Sequence, residues 1–271
     1  MNFSILMSIY HKEKPNYFNR CMQSIWDEQT VKPNEIVLVQ DGELTDELYK
    51  IIDSWKDRLQ DILKIIPLEK NIGTGGAKKI GVENCNFDFI AVMDTDDIAT
   101  PKRFEKQLEF LEKHQEIDVV GTYIKEIDEH ENVLKDIVKF PLSHDDLYDF
   151  FSQRDPLAHP TTMFRRSFFE KAGNYGTDLH LAEDTLLWYH GFMAGCTFAN
   201  LDFIGLHFRR TEDFYTRRAN IQKGIGLLKY RILHINRKLK YGLKADLSAI
   251  AYFLISMAPS SIKKFLYTTL R

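Results

Sequence analysis

Residues 89–101 read FIAVMDTDDIATP, an apolar run followed by three carboxylates within four residues. The apolar run is typical of a buried strand, and Asp94, Asp96 and Asp97 come directly after it. Carboxylates this close repel one another, so the cluster is stable only when positive charge or a proton lies among them. The stretch therefore predicts a buried strand whose carboxyl end carries a charged site.

Strand-like and helix-like segments alternate through the first half of the chain. Apolar runs predict strands within residues 3–10, 34–42, 61–68 and 87–94, and helical patterns lie within residues 16–29, 45–59, 71–85 and 100–114. Pro15 precedes the first helix, Thr45 is a candidate N-cap of the second, and Pro101 lies in the first turn of the fourth. This alternation predicts an α/β fold with a mainly parallel, doubly wound sheet flanked by helices.

Polar side chains follow three of these predicted strands. Ser8 and Tyr10 end the first strand, Asp41 ends the second, and the aspartate cluster ends the fourth. Ligands of such sheets bind at the carboxyl ends of the strands. We therefore expect these residues to share one site.

The second half of the chain is less regular. Residues 127–140 predict an extended pair, residues 154–167 a loop, and residues 181–194 a helix. After Thr211 the pattern becomes one of basic amphipathic helices.

Composition is that of a soluble globular protein, with 44% hydrophobic and 28% charged residues among 271. The three cysteines are widely spaced and odd in number, which favours a reducing compartment without a disulfide framework. No signal peptide is evident, and the most apolar late stretch, Leu247–Ala258, is too short to span a bilayer. We expect a cytoplasmic protein.

Charge is divided unevenly along the chain. Residues 217–271 contain 12 Lys/Arg and one acid, a net charge of +11. Because the whole chain has a net charge of −3, the first 216 residues carry −14. Such a basic segment predicts a helical region in a membrane interface, near anionic headgroups. The alternative is a helical cap packed on the core with a solvated basic face. Nucleic acid is excluded as the partner, because the acidic body would repel phosphates.

The aspartate cluster has two chemical interpretations. Mg²⁺ or Mn²⁺ takes oxygen ligands and needs only one or two protein carboxylates when phosphates supply the rest, which suits Asp96 and Asp97. The alternative is a solvated turn with an N-cap aspartate before the next helix. The position after a parallel strand, alongside Asp41, favours the metal site.

Three further features also have two interpretations. The glycine-rich segment 71–81 can bring backbone amides to a phosphate, with added charge from Lys78 and Lys79, or can be a simple strand-to-helix turn. Glu183 and Asp184 open a predicted helix, where they either complement its dipole or accept a proton from an attacking hydroxyl. His159 is a substrate ligand or a buried, hydrogen-bonded histidine.

Six motifs in order resemble family 2 glycosyltransferases of the GT-A fold, which use nucleotide sugars. The resemblance runs from about residue 3 to about residue 218 and rests on ILMSIYHKE, IVLVQDGELTDEL, NIGTGGAKKIG, AVMDTDDIATPKRFEKQ with its DXD motif, HPTTMFRRS and AEDTLLW. It is strongest to bacterial enzymes that build capsule, O-antigen or exopolysaccharide of the amylovoran type. It implies a GT-A catalytic domain over residues 1–215, with a nucleotide-binding half (1–100) and an acceptor-binding half (101–215). Residues 216–271 would form the C-terminal amphipathic helical region.

The resemblance also implies roles for individual residues. The nucleotide sugar would be bound by Ser8, Tyr10, Asp41, Asn71, Gly73, Lys78, Asp94 and Asp96. Asp97, with Asp96, would hold Mn²⁺ or Mg²⁺. Asp184 would be the general base, supported by Glu183, and acceptor or phosphate would contact His159, Arg209 and Arg210.

The implied reaction is metal-assisted, inverting transfer of a hexose, galactose or glucose, from a UDP-sugar. The acceptor would be a lipid-linked saccharide at the inner face of the bacterial plasma membrane. One alternative is a nucleotidyltransferase, although residues 8–18 lack the glycine- and arginine-rich loop of that class. The other is a non-catalytic subunit that binds nucleotide sugar.

Overall fold

The first half of the chain consists of strand–helix units that form a parallel sheet. The computed structural model describes residues 1–176, 182–211 and 221–258. The elements of this half are β1 (Phe3–Ile9), α1 (Pro15–Trp26), β2 (Glu35–Gln40), α2 (Asp46–Leu59), β3 (Leu63–Pro67), α3 (Thr74–Asn84) and β4 (Phe89–Val92). β1 pairs in parallel with both β2 and β4, and β2 pairs with β3. The predicted parallel α/β architecture is confirmed.

The second half extends this sheet with strands of both directions. Its elements are β5 (Ile98–Ala99), α4 (Arg103–Lys113), β6 (Val119–Ile127), β7 (Val133–Val138), α5 (His144–Phe151), β8 (Met163–Arg165), α6 (Arg166–Ala172), α7 (Glu183–Met193) and β9 (Phe198–Arg209). Within the described residues the sheet has nine strands in the order β3-β2-β1-β4-β8-β6-β9-β5, with β7 beside β6. β8 is antiparallel to both β4 and β6 and joins the two halves.

Local sequence signals account for most element boundaries. Pro15 is the first residue of α1, and the Thr45 side chain accepts a hydrogen bond from Leu48 N at the start of α2. α4 begins at Arg103 rather than at Pro101, because a turn closed by Arg103 N donating to Thr100 O precedes it. The predicted loop 154–167 contains β8, whose three residues are too few to show an alternating pattern.

Two apolar layers cover the two faces of the sheet. Along β1, Ile5 and Met7 belong to one layer, and Leu6 belongs to the other. Helices α1, α2 and α4 complete the first layer, and α3, α6 and α7 complete the second. Strands buried on both faces are continuously apolar, as the sequence shows for β1, β2 and β4.

The C-terminal helices pack against α5. They are α8 (Ile221–Tyr230), α9 (Asn236–Lys238) and α10 (Leu243–Met257), with one π-helical turn over Arg231–Ile235. Arg231 donates to Phe151 O at 3.0 Å, and Tyr148 Oη donates to Leu239 O at 2.6 Å. The predicted domain boundary at 215/216 lies outside the described residues. Among the described helices, none has both the length and the apolar character needed to cross a membrane.

Close packing of α3 on the sheet depends on Gly81. A Cβ added at Gly81 would lie 2.1 Å from Leu6 Cδ1 and 3.2 Å from Val39 Cγ2, both in the buried second layer. Only a residue without a side chain allows α3 to lie this close to β1 and β2.

We predict that Gly81→Ala destabilises the fold, because the added methyl group overpacks the interface between α3 and β1. Overpacking of this kind costs about 1–3 kcal/mol. Thermal and urea denaturation would measure the loss. Gly242→Ala is the matched control, because nothing lies within 4 Å of a Cβ at that position. An unchanged midpoint for Gly81→Ala would contradict the prediction.

Candidate active site

The predicted strand ends meet at one edge of the sheet. Asp41 N donates to Ile9 O at 2.8 Å, and Met93 N donates to Leu6 O at 3.0 Å. The segments after β2 and β4 therefore flank the end of β1, where the half-buried Ser8 and Tyr10 lie. The parallel register places Ser8 opposite Val39 in this arrangement.

Asp41 organises the glycine-rich segment that follows β3. Its carboxylate accepts hydrogen bonds from Ile72 N at 2.7 Å and Gly73 N at 3.1 Å, and its carbonyl accepts one from Asn71 Nδ2 at 3.1 Å. Beside it is an open cavity of about 490 Å³, lined by His11, Asp41, Gly42, Glu43, Leu44, Thr45, Glu69, Lys70 and Asn71. Asp41 thus shapes a cavity wall, and its contact with a nucleotide base stays a prediction.

Asp97 is fully buried at the end of the aspartate cluster. Its Oδ1 accepts a hydrogen bond from Arg209 N at 2.7 Å, whereas its buried Oδ2 has no hydrogen-bond partner among the described residues. Burial, with the nearby charges of Asp96 and Asp94, raises the pKa of Asp97 well above its usual range. A buried carboxylate oxygen without a partner is uncommon in folded proteins, and a bound cation is one group that would satisfy it.

The carboxylates fit a divalent cation that takes its other ligands from a bound molecule. Within residues 1–176, 182–211 and 221–258 there is no group of three His, Cys, Asp or Glu residues able to hold a metal ion. Mg²⁺ and Mn²⁺ do not need such a cage when phosphate oxygens complete their shell. The free Oδ2 of Asp97 and the half-buried Asp96 beside it suit that mode of binding.

Three buried cations surround the aspartate cluster. Lys78 Nζ lies 3.1 Å from Asp94 Oδ1, and the Arg209 guanidinium donates to Asp96 O at 2.8 Å. Arg103, which is fully buried in α4, donates to Val92 O at 2.7 Å behind the cluster. Burial lowers the pKa of Arg103 to about 9, although the charges of Asp97 and Asp94 act in the opposite direction. These side chains supply positive charge that the cluster requires.

Lys78 also connects the cluster with the motif at the start of α7. Its Nζ lies 3.1 Å from His159 Nδ1, and the same His159 nitrogen lies 3.5 Å from Asp184 Oδ1. Burial and the charge of Lys78 lower the pKa of His159 well below its usual value, so the ring is neutral. Asp94, Lys78, His159 and Asp184 therefore form one group, although they come from four separate segments.

Asp184 occupies the first turn of α7 with one oxygen buried and its side chain 37% exposed. Burial raises the pKa of Asp184 well above its usual range, although the charge of Lys78 opposes this shift. Glu183 precedes Asp184 and lies close to α3. A Cβ added at Gly75 in α3 would lie 3.2 Å from the Glu183 Cβ. A carboxylate that is both basic and reachable is suited to accept a proton.

Arg209 and Arg210 lie apart from the open part of the site. Arg209 is 2% exposed, and its guanidinium also donates to Asp128 O and Glu129 O in the β6–β7 turn. Arg210 pairs with Glu126 at 2.8 Å, with both side chains buried. These bonds hold the β6–β7 turn against the aspartate cluster, and contact of either arginine with acceptor or phosphate stays a prediction.

Two residues of the site escaped the sequence analysis. Tyr175 Oη lies 2.7 Å from His159 Nε2, and Arg103 lies beneath the cluster. Tyr175 stands in an irregular segment, and Arg103 in a helix of ordinary amphipathic pattern, so neither had a local signal. Only the fold brings them to the carboxylates.

Comparison with known proteins shows which family the chain resembles. A family model described as "Glycosyl transferase family 2" matches residues 4–173. The chain is 35% identical over 269 residues to the amylovoran biosynthesis glycosyltransferase AmsE of Erwinia amylovora, covering 98% of this chain and 97% of the relative. It is 30% identical over 270 residues to an Escherichia coli UDP-Gal:alpha-D-GlcNAc-diphosphoundecaprenol beta-1,3-galactosyltransferase, covering 98% and 94%.

Solved structures show the same fold at low sequence identity. S. aureus TarS 1-349 in complex with UDP-GlcNAc superimposes with a TM-score of 0.63 at 18% identity, covering 97% of this chain and 83% of TarS. This likeness confirms the predicted GT-A architecture. The family match and the two full-length relatives show that the chain belongs to glycosyl transferase family 2 and is a glycosyltransferase.

Proposed function

We propose that this glycosyltransferase moves a hexosyl group, galactosyl or glucosyl, from a UDP-sugar to a hydroxyl of a lipid-linked saccharide, with inversion at the anomeric carbon. The observation that carries the proposal is the grouping of two carboxylate sites around Lys78. On one side lie Asp94 and the unpaired oxygen of Asp97, and on the other lies Asp184. Leaving-group binding and proton removal thus have separate carboxylates within one site.

Substrate class is supported by the names of similar proteins. The Escherichia coli relative is named for UDP-Gal and for a GlcNAc-diphosphoundecaprenol acceptor, and AmsE for amylovoran biosynthesis. TarS has been solved with UDP and with UDP-GlcNAc. By analogy, the donor for this chain would be a UDP-hexose and the acceptor a lipid diphosphate. Measuring UDP release with a panel of UDP-hexoses tests the donor directly.

Asp97, together with Asp96, would hold Mn²⁺ or Mg²⁺ against the diphosphate of the donor. When bound, the ion neutralises negative charge that develops on the leaving diphosphate. Arg209 keeps the Asp97 carboxylate in place through its backbone amide, while the Oδ2 atom meets no donor from the part of the chain that the structure describes. Asp94 Oδ1 accepts a hydrogen bond from Lys78 Nζ.

Asp184 would remove the proton from the acceptor hydroxyl as that oxygen attacks the anomeric carbon. Its raised pKa makes the carboxylate a stronger base than an exposed aspartate. Direct displacement inverts the anomeric carbon, so an α-linked donor gives a β-linkage. No covalent intermediate on the enzyme is required.

The two alternatives from the sequence differ in their predicted products. A nucleotidyltransferase would release pyrophosphate from a nucleoside triphosphate, and membership of the glycosyltransferase family argues against it. A non-catalytic subunit would bind UDP-sugar without releasing UDP in the presence of acceptor. Measuring UDP release with and without acceptor separates these functions.

Membrane contact through the C-terminal helices is the second part of the proposal. α10 exposes Leu243, Leu247, Ile250 and Leu254, which lie on one face of the helix at spacings of four, three and four residues. Exposed cations precede and accompany this stripe at Arg237, Lys238, Lys240 and Lys244. An apolar helix face beside clustered cations suits an anionic lipid surface at which a lipid-linked acceptor is found. Residues 212–220 and 259–271 of the predicted basic region lie outside the described residues.

Asp97→Asn is predicted to abolish metal-dependent binding of UDP. Asparagine preserves the bond from Arg209 N but lacks the charge that the ion requires. Because Asp97 is a buried carboxylate among like charges, its neutralisation should leave the melting temperature unchanged or higher. Calorimetric titration of UDP with and without Mn²⁺ measures the first effect, and Asp202→Asn on the exposed part of β9 is the control. Wild-type affinity in the variant would contradict the metal assignment.

Asp184→Asn should lower kcat by about 10²- to 10⁴-fold, the contribution typical of a general base. Donor affinity should change little, because the amide retains the shape of the carboxylate. Glu183→Gln, one residue earlier on the same turn, should cause a smaller loss if its role is supportive. UDP release and calorimetry provide the two measurements, and normal turnover by Asp184→Asn would refute its assignment as the base.

The double variant Leu247→Glu/Leu254→Glu is predicted to lose binding to vesicles containing anionic lipid, because two charges interrupt the apolar face of α10. Flotation with phosphatidylglycerol vesicles measures the loss. Leu134→Glu is the matched control, since this leucine is 51% exposed on β7, far from α10 in sequence. Undiminished binding by the double variant would favour the alternative in which the helices only cap the core.

A further inference from the structure

A buried row of hydrogen-bonding groups runs from Tyr175 through His159 and Lys78 to Asp94. Tyr175 Oη lies 2.7 Å from His159 Nε2, His159 Nδ1 lies 3.1 Å from Lys78 Nζ, and Lys78 Nζ lies 3.1 Å from Asp94 Oδ1. Tyr175 is 2% and His159 4% exposed, and Lys78 is 2% exposed. The row joins the segment before α7 to the end of β4 through α3.

The donor and acceptor roles along this row follow from the chemistry of lysine. An ammonium group has three donors and no acceptor, so His159 Nδ1 must accept the bond from Lys78. The proton of the neutral ring then lies on Nε2, which donates to Tyr175 Oη. His159 is consequently held in one tautomer and one orientation, because Nδ1 accepts a hydrogen bond from Lys78 and Nε2 donates one to Tyr175.

This tautomer has a consequence for Asp184. Its Oδ1 lies 3.5 Å from His159 Nδ1, which carries no proton and cannot donate to it. The charged groups that face Asp184 are Lys78 from α3, Asp94 after β4, Glu183 on its own helix and Asp155 before the turn at His159. Asp155 is itself paired with Arg231 at 3.0 Å and accepts from Thr185 Oγ1. Lys78 is the cation among the four groups that face Asp184, and its charge stabilises the ionised form of this carboxylate.

We propose that Tyr175 and His159 are positioning residues that hold the Lys78 ammonium between Asp94 and Asp184, and that this ammonium keeps the general base ionised. The proposal rests on the assignment of Asp184 as the base. Lys78 would act on both halves of the reaction, because it pairs with a carboxylate of the donor side and faces the carboxylate of the acceptor side. Tyr175 is buried and hydrogen-bonded to His159, and it would act through that residue.

The test is the pH dependence of kcat in Tyr175→Phe, His159→Gln, Lys78→Met and Lys78→Arg. The acid limb of kcat reports the pKa of the base in the enzyme–substrate complex. Removing the positive charge raises that pKa, so Lys78→Met should move the acid limb to higher pH by about one unit or more. Tyr175→Phe and His159→Gln should move it in the same direction by less, and Lys78→Arg should return it toward the wild-type position.

Binding measurements separate this role from a structural one. Tyr175→Phe removes one hydroxyl without changing the ring, and we expect the KM for donor to stay within about two-fold of wild type while kcat falls. Tyr189→Phe is the matched control, because this buried tyrosine lies further along the chain, on α7, and the change should leave the acid limb in place.

Two outcomes would overturn the proposal. The first is an acid limb that stays at its wild-type pH in Lys78→Met and Tyr175→Phe, while Asp184→Asn is inactive, which leaves the base assignment intact. The second is a Tyr175→Phe variant in which kcat and the melting temperature both fall while the pH profile of kcat is unchanged. Normal turnover by Asp184→Asn would instead refute the proposed function on which the inference rests.

Discussion

Compensation of negative charge at the carboxyl end of β4 is the constraint on which the site depends. Asp94, Asp96 and Asp97 lie within four residues, and Asp97 is completely buried. The protein meets their repulsion with cations from two helices and one strand, of which Lys78 pairs directly with Asp94. Among the described residues, Oδ2 of Asp97 still has no hydrogen-bond partner. The fold therefore compensates part of the negative charge at this site, and the site can still accept a further cation.

Sheet topology explains why the compensating groups arrive together. β1 lies between β2 and β4 in parallel, so the segments after all three strands meet at one edge. The short antiparallel β8 then connects β4 to β6, and the turn before it brings His159 to Lys78. Gly81 lets α3 lie directly on the strands, which sets the position of Lys78 one turn earlier. A shift of α3 away from the sheet would separate both carboxylate sites from their shared cation.

The C-terminal helices pack on the rest of the chain and still expose an apolar face. Ile235 and Leu239 are buried, and Arg231 donates to Phe151 O in α5, as a packed cap requires. The leucines of α10 face outward at the same time, which leaves an apolar stripe next to exposed cations. Contact of this stripe with a lipid surface stays a prediction.

Local patterns in the sequence determined the elements with strong periodicity or clear end signals. These include the buried strands β1, β2 and β4, the cap of α2 at Thr45, and the polar residues after each strand, because burial and capping act over a few neighbouring residues. Tertiary structure alone decided the partners of those polar residues. Lys78, His159 and Tyr175 are up to 97 residues apart in the numbering, and no local rule links them. Their contacts arise only when the sheet has formed and apolar packing places α3, the turn before β8 and the segment before α7 side by side.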